Sequence, residues 1–445
     1  MKKDFQHPTS LSEYEGSAVT PLANSDEIFV HLAHQLESSR VVEGLHSADA
    51  AFVFAALFRH SPGPFLWMTL NNREAEKVAD NLRFFLPPDD HDQILIIPGL
   101  EEDPYRGLSP HPEIATKRAV GLWKLQKGHR GFVITTGAGI FHRMPSPLDF
   151  LSNCIHMEVG GFIPLDHLLE RLRENGYSRE EPVVELGEYS SRGGIVDLFS
   201  PAHENPLRIE LFGDQIESIR EFDPSTQRSI ELIPSCEIVP MRELIVNRRD
   251  IEHWHESAPQ HWNEVRFAKA LEEKLQFTEN GELFNGFEYL FPLVCAKHHS
   301  LLDFFTDTKG LRVILHPADE FRTGFRQLSA SREKNFRELS IQGELVLSPE
   351  ELFLSEGWLG KILQEYKVFS LEQLSDETTQ ALRFDFRLER KYRSRIQSFL
   401  SDLGKWGKER EKVVLVMNSQ GMAERMRDIL SEYEVPVHFA QEGID

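Results

Sequence analysis

Apolar and polar positions along the first third of the chain alternate between two periods. Residues 50–58 read as a buried helix and residues 65–70 as a buried strand. Over 73–85, Ala75, Val78, Ala79, Leu82 and Phe85 recur at helical spacing, and Pro87-Pro88 stops that helix. A strand at 94–97, a helix at 114–125 and a strand at 132–136 continue the alternation, which predicts a parallel sheet covered by helices. After about residue 153 the period changes. An amphipathic helix over 165–175 ends at Gly176, and short extended segments follow at 182–185, 194–199, 207–212 and 215–222. Gly213-Asp214 separates the last two and suits a tight hairpin. Residues 241–375 mix a helix at 265–277 with a strand at 311–315 and many phenylalanines. A basic helix at 391–403, a strand at 413–417, a helix at 423–433 and a strand at 435–439 close the chain.

The expected class is therefore α/β: a parallel-sheet domain interrupted by a small α+β insert and followed by a partial α/β domain. The expected segments are 1–153 for the first part of the sheet domain, 154–240 for the insert, 241–375 for the return to the same core, and 376–445 for the connecting basic helix and the partial domain. Two strands do not make a stable parallel sheet, so the last unit reads as the beginning of something larger.

Composition narrows the functions. The 445 residues are 40% hydrophobic and 27% charged, enough to build cores. Forty-nine Lys and Arg against 71 Asp and Glu leave a net charge of −22, which disfavours a surface that coats DNA. The segment 154–240 holds seven Arg, no Lys and 17 Asp and Glu, a balance of −10. Its opposite is 387–412, with nine Lys and Arg and four acids, which reads as a DNA contact, a solvated face or a docking helix. Cys154, Cys236 and Cys295 lie far apart with no CxxC spacing, so neither a zinc module nor a disulfide framework is supported, and a reducing cytoplasm fits. The first residues run into no apolar segment, and the longest apolar run, 50–58, is too short to span a bilayer.

For a nucleotide, the turn before the first helix is the place to look. A phosphate loop needs GxxxxGK[ST], because glycine admits backbone N–H groups to the phosphate, the lysine neutralises it and the hydroxyl holds magnesium. Laid over that template, Gly44 survives, but Asp49, Ala50 and Ala51 stand at the second glycine, lysine and hydroxyl positions. A carboxylate where the phosphate would sit inverts the electrostatics, so ATP hydrolysis is not expected there; the alternative is an ordinary strand–helix turn that never bound nucleotide. Gly137-Ala138-Gly139 lacks the third glycine of a dinucleotide loop, His142 standing in its place. His298-His299 and the pair His31 and His34 lack the carboxylate or cysteine company of a metal site, and Ser47 and Ser109 lack a nucleophile elbow. No catalytic residue and no metal ligand is assigned.

The insert is more informative. In Leu207-Arg208-Ile209-Glu210-Leu211-Phe212 the aliphatic residues share one strand face, which must be the core, and Arg208, Glu210 and Phe212 share the other. Arg192, in the turn Ser191-Arg192-Gly193-Gly194, is left unshielded by its glycines. Arginine and aromatic residues are enriched among interface hot spots. The cluster reads as a protein-binding patch or as a face covered by a second layer.

Several runs carry a resemblance. They are Pro98-Gly99-Leu100-Glu101-Glu102-Asp103-Pro104-Tyr105 with Ser109-Pro110-His111, then Gly187-Glu188-Tyr189-Ser190-Ser191-Arg192-Gly193-Gly194-Ile195-Val196-Asp197-Leu198-Phe199, then Pro206-Leu207-Arg208-Ile209-Glu210-Leu211-Phe212 and Ile216-Glu217-Ser218-Ile219-Arg220-Glu221-Phe222-Asp223, and Gly286-Phe287-Glu288-Tyr289. Across essentially its whole length the chain resembles the N-terminal part of bacterial transcription-repair coupling factor, a region shared with the excision-repair protein UvrB. UvrB-like proteins keep an intact phosphate loop and insert a long tyrosine-rich hairpin after the second strand; here Ala50 and Ala51 occupy the loop and only residues 99–113 bridge that gap.

The resemblance implies a RecA-like, P-loop-type fold with a degenerate nucleotide site and no cofactor in this chain. It also implies an insert that recruits UvrA through Arg192, Arg208 and Phe212. It further implies a parent protein in which ATP and magnesium serve an absent DNA-translocase motor that removes stalled RNA polymerase, RNA polymerase and DNA bind absent domains, and a C-terminal domain masks the insert. The alternative is a fragment of a UvrB-like, ATP-dependent enzyme that processes damaged DNA.

Overall fold

The computed structural model describes residues 35–36 and 41–438, apart from 102, 280–282, 296–297, 373–380, 385–391, 393–394, 410–412, 414, 416 and 418. The described residues up to 384 form one compact unit, and those from 392 onward fall in another.

In the first unit the strands β1 (Val41–Glu43), β2 (Phe65–Thr69), β3 (Ile94–Ile97) and β4 (Phe132–Thr136) alternate with helices α1 (Ser47–His60), α2 (Asn72–Phe85) and α3 (Pro112–Gln126). Each boundary has a local cause. Asn71 caps α2 by accepting the Glu74 N–H, and α3 starts with Pro112 in its first turn. After the insert the chain returns through β13 (Arg312–Leu315), β14 (Lys367–Glu372) and β15 (Ala381–Arg383). All seven strands run parallel in the order β15-β1-β14-β13-β2-β4-β3. One face buries Phe54, Phe65, Trp67, Phe132 and Phe369, and the other buries Leu66, Met68, Val133, Val313 and Leu315. Strands buried on both faces read as continuous apolar runs, which is why β2 and β4 were visible from sequence.

The insert lies between β5 (Ile155–Glu158) and β12 (Ser235–Ile238), which pair antiparallel. Between them come helix α4 (Leu165–Glu174), followed by Gly176 at φ +88°, and a six-stranded sheet. Its strands are β6 (Ser178–Arg179), β7 (Glu188–Arg192), β8 (Ile195–Leu198), β9 (Leu207–Phe212), β10 (Gln215–Phe222) and β11 (Ser229–Leu232), adjacent in chain order. Val196, Leu198, Leu207, Ile209 and Ile219 bury one face together with Leu168 and Leu172 of α4. Residues 182–185 are not the strand that their extended pattern predicts: the Glu188 carboxylate accepts the Val184 and Glu185 N–H groups at 2.7 and 2.8 Å and holds the segment as a turn.

A further core gathers Trp254 and Ala258 of α5 (Arg248–His261), with α6 (Ala268–Glu279) packed against it, around Phe287, Leu345, Leu347 and Tyr105. Helix α7 (Ala318–Gln342), which the sequence reading missed, ends at Gly343. It is followed by α8 (Glu356–Glu365).

In the second unit, helix α9 spans Ile396–Lys408 rather than 391–403, because its apolar face, Ile396, Phe399, Leu400 and Leu403, begins at Ile396. Arg395 is its N-cap, and Lys405 and Lys408 lie in its last turn, so the basic run largely precedes the helix, with Lys391 and Arg393 outside the described residues. Helix α10 (Gln420–Glu432) occupies the place of the expected 423–433 helix. The strand expected at 413–417 lies in part outside the described residues, and neither its described positions nor 435–438 are in strand. Among the described residues no helix is long and apolar enough to cross a membrane.

Candidate protein-binding face and the degenerate loop

The two hairpins of the insert set the geometry. Gly193 and Gly213 take φ +60° and +62°, the left-handed region that two-residue hairpin loops require, so β7–β8 and β9–β10 turn at the same end of the sheet. Register then decides what faces out. Arg192 pairs with Ile195, Ile195 with Glu210, Asp197 with Arg208, and Arg208 with Arg220. Cross-strand partners share a face, so Arg192, Ile195, Asp197, Arg208, Glu210, Phe212 and Arg220 form one surface opposite the insert core.

On that surface the three candidates are not equivalent. Arg208 gives Nε and Nη2 to the two carboxylate oxygens of Asp197 at 2.7 and 2.8 Å, and its guanidinium lies 4.7 Å from the centre of the buried Phe222 ring. Its side chain is only 23% exposed, and the Asp197 hydrogen bonds raise its pKa further above its ordinary value. Arg220, directly across from it, is neutralised by Glu210 at 2.5 Å, with Ser218 donating to the same carboxylate. Two like charges face each other across β9 and β10, and a carboxylate on each side relieves the repulsion. Arg208 thus sits on the predicted face, but its guanidinium organises that face instead of projecting freely from it.

Arg192 does project. Its side chain is 68% exposed, and among the described residues it forms an ion pair with Glu181, itself about half exposed, a pair of the kind that exchanges readily for another partner. Phe212 is 79% exposed, and Ile195 lies beside it on the next strand, partly exposed. No described residue forms a second layer over the ring.

The turn at Gly44 has the form of a helix start. Helix α1 begins at Ser47, so Asp49, Ala50 and Ala51 are already helical. The Asp49 carboxylate accepts the His46 N–H at 3.2 Å and puts a negative charge at the helix N-terminus, where a phosphate would otherwise bind. Ala50 and Ala51 are fully buried. At the carboxyl ends of β2 and β13, where open parallel sheets bind nucleotides, a cavity of about 290 Å3 is lined by Ser47, Thr69, Asn71, Glu74, His316 and Glu320 among others, and none of its lining residues is Lys or Arg. Two carboxylates in that position repel a polyphosphate. No group of three or more metal-ligating side chains occurs among the described residues.

The insert is tied to the sheet domain through buried polar contacts that the sequence reading missed. Arg118 of α3, wholly buried, gives Nε to Glu243 at 2.8 Å and Nη1 to the Pro98 carbonyl at 2.6 Å. Thr116 of α3 donates to the Met241 carbonyl at 3.0 Å, and the Met241 N–H donates to the Asn175 carbonyl of the insert at 2.9 Å. His142, buried nearby, is held neutral: burial, then the charges of Arg118 and Arg332, push its pKa down to about 3.

Residues 155–244 match the family described as the UvrB interaction domain. Over 440 residues, 94% of this chain, the sequence is 26% identical to the transcription-repair-coupling factor of Myxococcus xanthus, covering 37% of that protein. It is 33% identical over 213 residues to the Bacillus subtilis protein of the same name, covering 48% of this chain and 18% of that one. It is 29% identical over 257 residues to the Escherichia coli protein, covering 57% and 22%. The chain spans little more than a third of the length of the relatives it matches.

Proposed function

We propose that this chain, a relative of the N-terminal region of transcription-repair coupling factors, works as an adaptor: its insert docks UvrA through the face that carries Arg192 and Phe212. The observation that carries the reading is the outer sheet face, where a phenylalanine 79% exposed and a solvent-exposed arginine two strands away share one surface with an internally neutralised ladder. Covering a bare aromatic ring with an apolar partner surface is favourable, and aromatic and arginine side chains are the types enriched at interface hot spots. Arg192 would meet a carboxylate of UvrA and Phe212 an apolar pocket, while Arg208 keeps Asp197 and Phe222 in place beneath them.

The Gly44 turn supports an adaptor over a UvrB-like ATP-dependent enzyme, since its helix N-terminus is closed by Asp49 and its nearest cavity is acidic. In the whole protein, such an adaptor would bring damage recognition to DNA where an ATP-driven translocase removes stalled RNA polymerase, with a C-terminal domain masking the insert until needed.

The test is co-migration with purified UvrA in size-exclusion chromatography. The chain should elute with UvrA, and Arg192→Glu, which reverses the exposed charge without touching the core, should elute apart from it. Co-elution of both forms removes Arg192 from the interface, and failure of the unaltered chain to co-elute removes the adaptor reading.

A further inference from the structure

The inner strand β10 has a second neighbour at its tight end. Residues 160–163, a loop between β5 and α4, lie against it: Gly160 N–H donates to Ile216 O, Ile216 N–H to Gly161 O and Ile163 N–H to Asp214 O, each at 2.8 Å. Phe162 and Gln215 form an antiparallel bridge. The bonds flank this pair instead of joining it, the arrangement in which side chains come closest and share a face. Gln215 in turn pairs with Phe212. Phe162, Gln215 and Phe212 therefore make one row across three extended segments on one face, and the two phenylalanine Cα atoms are about 10 Å apart.

Both rings are in solvent, Phe212 at 79% and Phe162 at 77%, and they are the two most exposed phenylalanines among the described residues. Neither is there because its backbone is loose. Phe162 lies between main-chain hydrogen bonds made by Gly160, Gly161 and Ile163 on either side of it, with the adjoining Ile163 packed on the insert core. Two aromatic rings held in register on one rigid row, with an exposed amide between them, present more apolar surface than a single hot spot needs.

We propose that Phe162 is a second aromatic anchor of the docking surface, so that UvrA covers Phe162 and Phe212 together and places a polar group over Gln215. This rests on the adaptor reading above. It commits the partner to two apolar sockets about 10 Å apart, beside a carboxylate that meets Arg192. It also places the recognition surface across the β9–β10 end and the loop before α4, beyond the strands that carry the arginines.

The experiment is calorimetric titration of purified UvrA with the whole chain and three variants, each first shown to keep the thermal midpoint. Phe162→Ala and Phe212→Ala should each weaken binding by about tenfold or more, and Phe162→Tyr, which keeps the ring, should stay within about threefold of the unaltered chain. If Phe162→Ala binds within about twofold of the unaltered chain while Phe212→Ala loses about tenfold, the second anchor is overturned and the adaptor reading stands. If neither alanine variant changes affinity, both fall.

Discussion

Arg208 shows how much one residue's role depends on a neighbour that sequence order hides. Strand alternation placed it correctly on the polar face of β9, but the partner that claims its guanidinium, Asp197, is eleven positions away and becomes its neighbour only through the β8–β9 register. Arg208→Ala should therefore cost about 1–3 kcal/mol of stability in urea denaturation, because it strands the half-buried Asp197 and uncovers Phe222. Arg192→Ala, whose ion pair is exposed at both ends, should cost less than about 0.5 kcal/mol. A loss of UvrA affinity in the Arg208 variant alone would therefore mix binding with folding, whereas substitutions at the exposed Arg192 and Phe212 would separate the two. Phe162 was invisible for the converse reason: it follows two glycines in a loop, and only the bridge to Gln215 gives it a face.

Elements were legible where the period was local. Helices α1 to α4, strands β2 to β4 and the Gly213 hairpin follow from apolar spacing and turn residues. The strand β1, the sheet order and the helix α7 did not. β1 is three residues long and acquires its place only by pairing with β14 and β15, more than 300 residues further along the chain. Helix α7 buries only Ala318, Phe321 and Arg332 along 25 residues, too sparse a stripe to stand out. The sequence of the Gly44 turn is inverted in charge, and its shape adds that the residues standing at the phosphate-binding positions are already in α1. Ala50→Lys should accordingly lower the thermal midpoint by burying an unpaired ammonium, and a fluorescent-nucleotide titration of the variant should show no saturable magnesium-dependent binding. Saturable binding would mean that the turn can open into a phosphate loop.

At the scale of the molecule, the insert needs a stiff base if it is to present a face to a partner, and the buried Arg118–Glu243 pair supplies one. Glu243→Ala should destabilise the chain by about 3–5 kcal/mol, since it leaves a fully buried guanidinium without its carboxylate, and loss of the cooperative denaturation baseline would show it. The same base makes stability depend on pH. His142 is neutral when folded, with a pKa of about 3, and takes up a proton near its ordinary value of 6.5 when unfolded. Its contribution is therefore complete above pH 6.5 and is lost as pH falls toward 3. Denaturation at pH 5 should show a deficit of about 2 kcal/mol relative to pH 7.5 that His142→Gln lacks.

The net charge of −22 takes its meaning at this scale too. Acidic groups neutralise the arginine ladder of the insert and line the cavity at the ends of β2 and β13, while Arg192 and bare aromatic surface reach outward from the outer sheet face. The most direct test of that claim is the dissociation constant of the whole chain for purified UvrA, with and without Phe212→Ala, measured by calorimetry at fixed salt. Saturable binding is expected, weakening by about tenfold or more when the ring is removed, with the thermal midpoint unchanged. Equal affinities for the two proteins would contradict it.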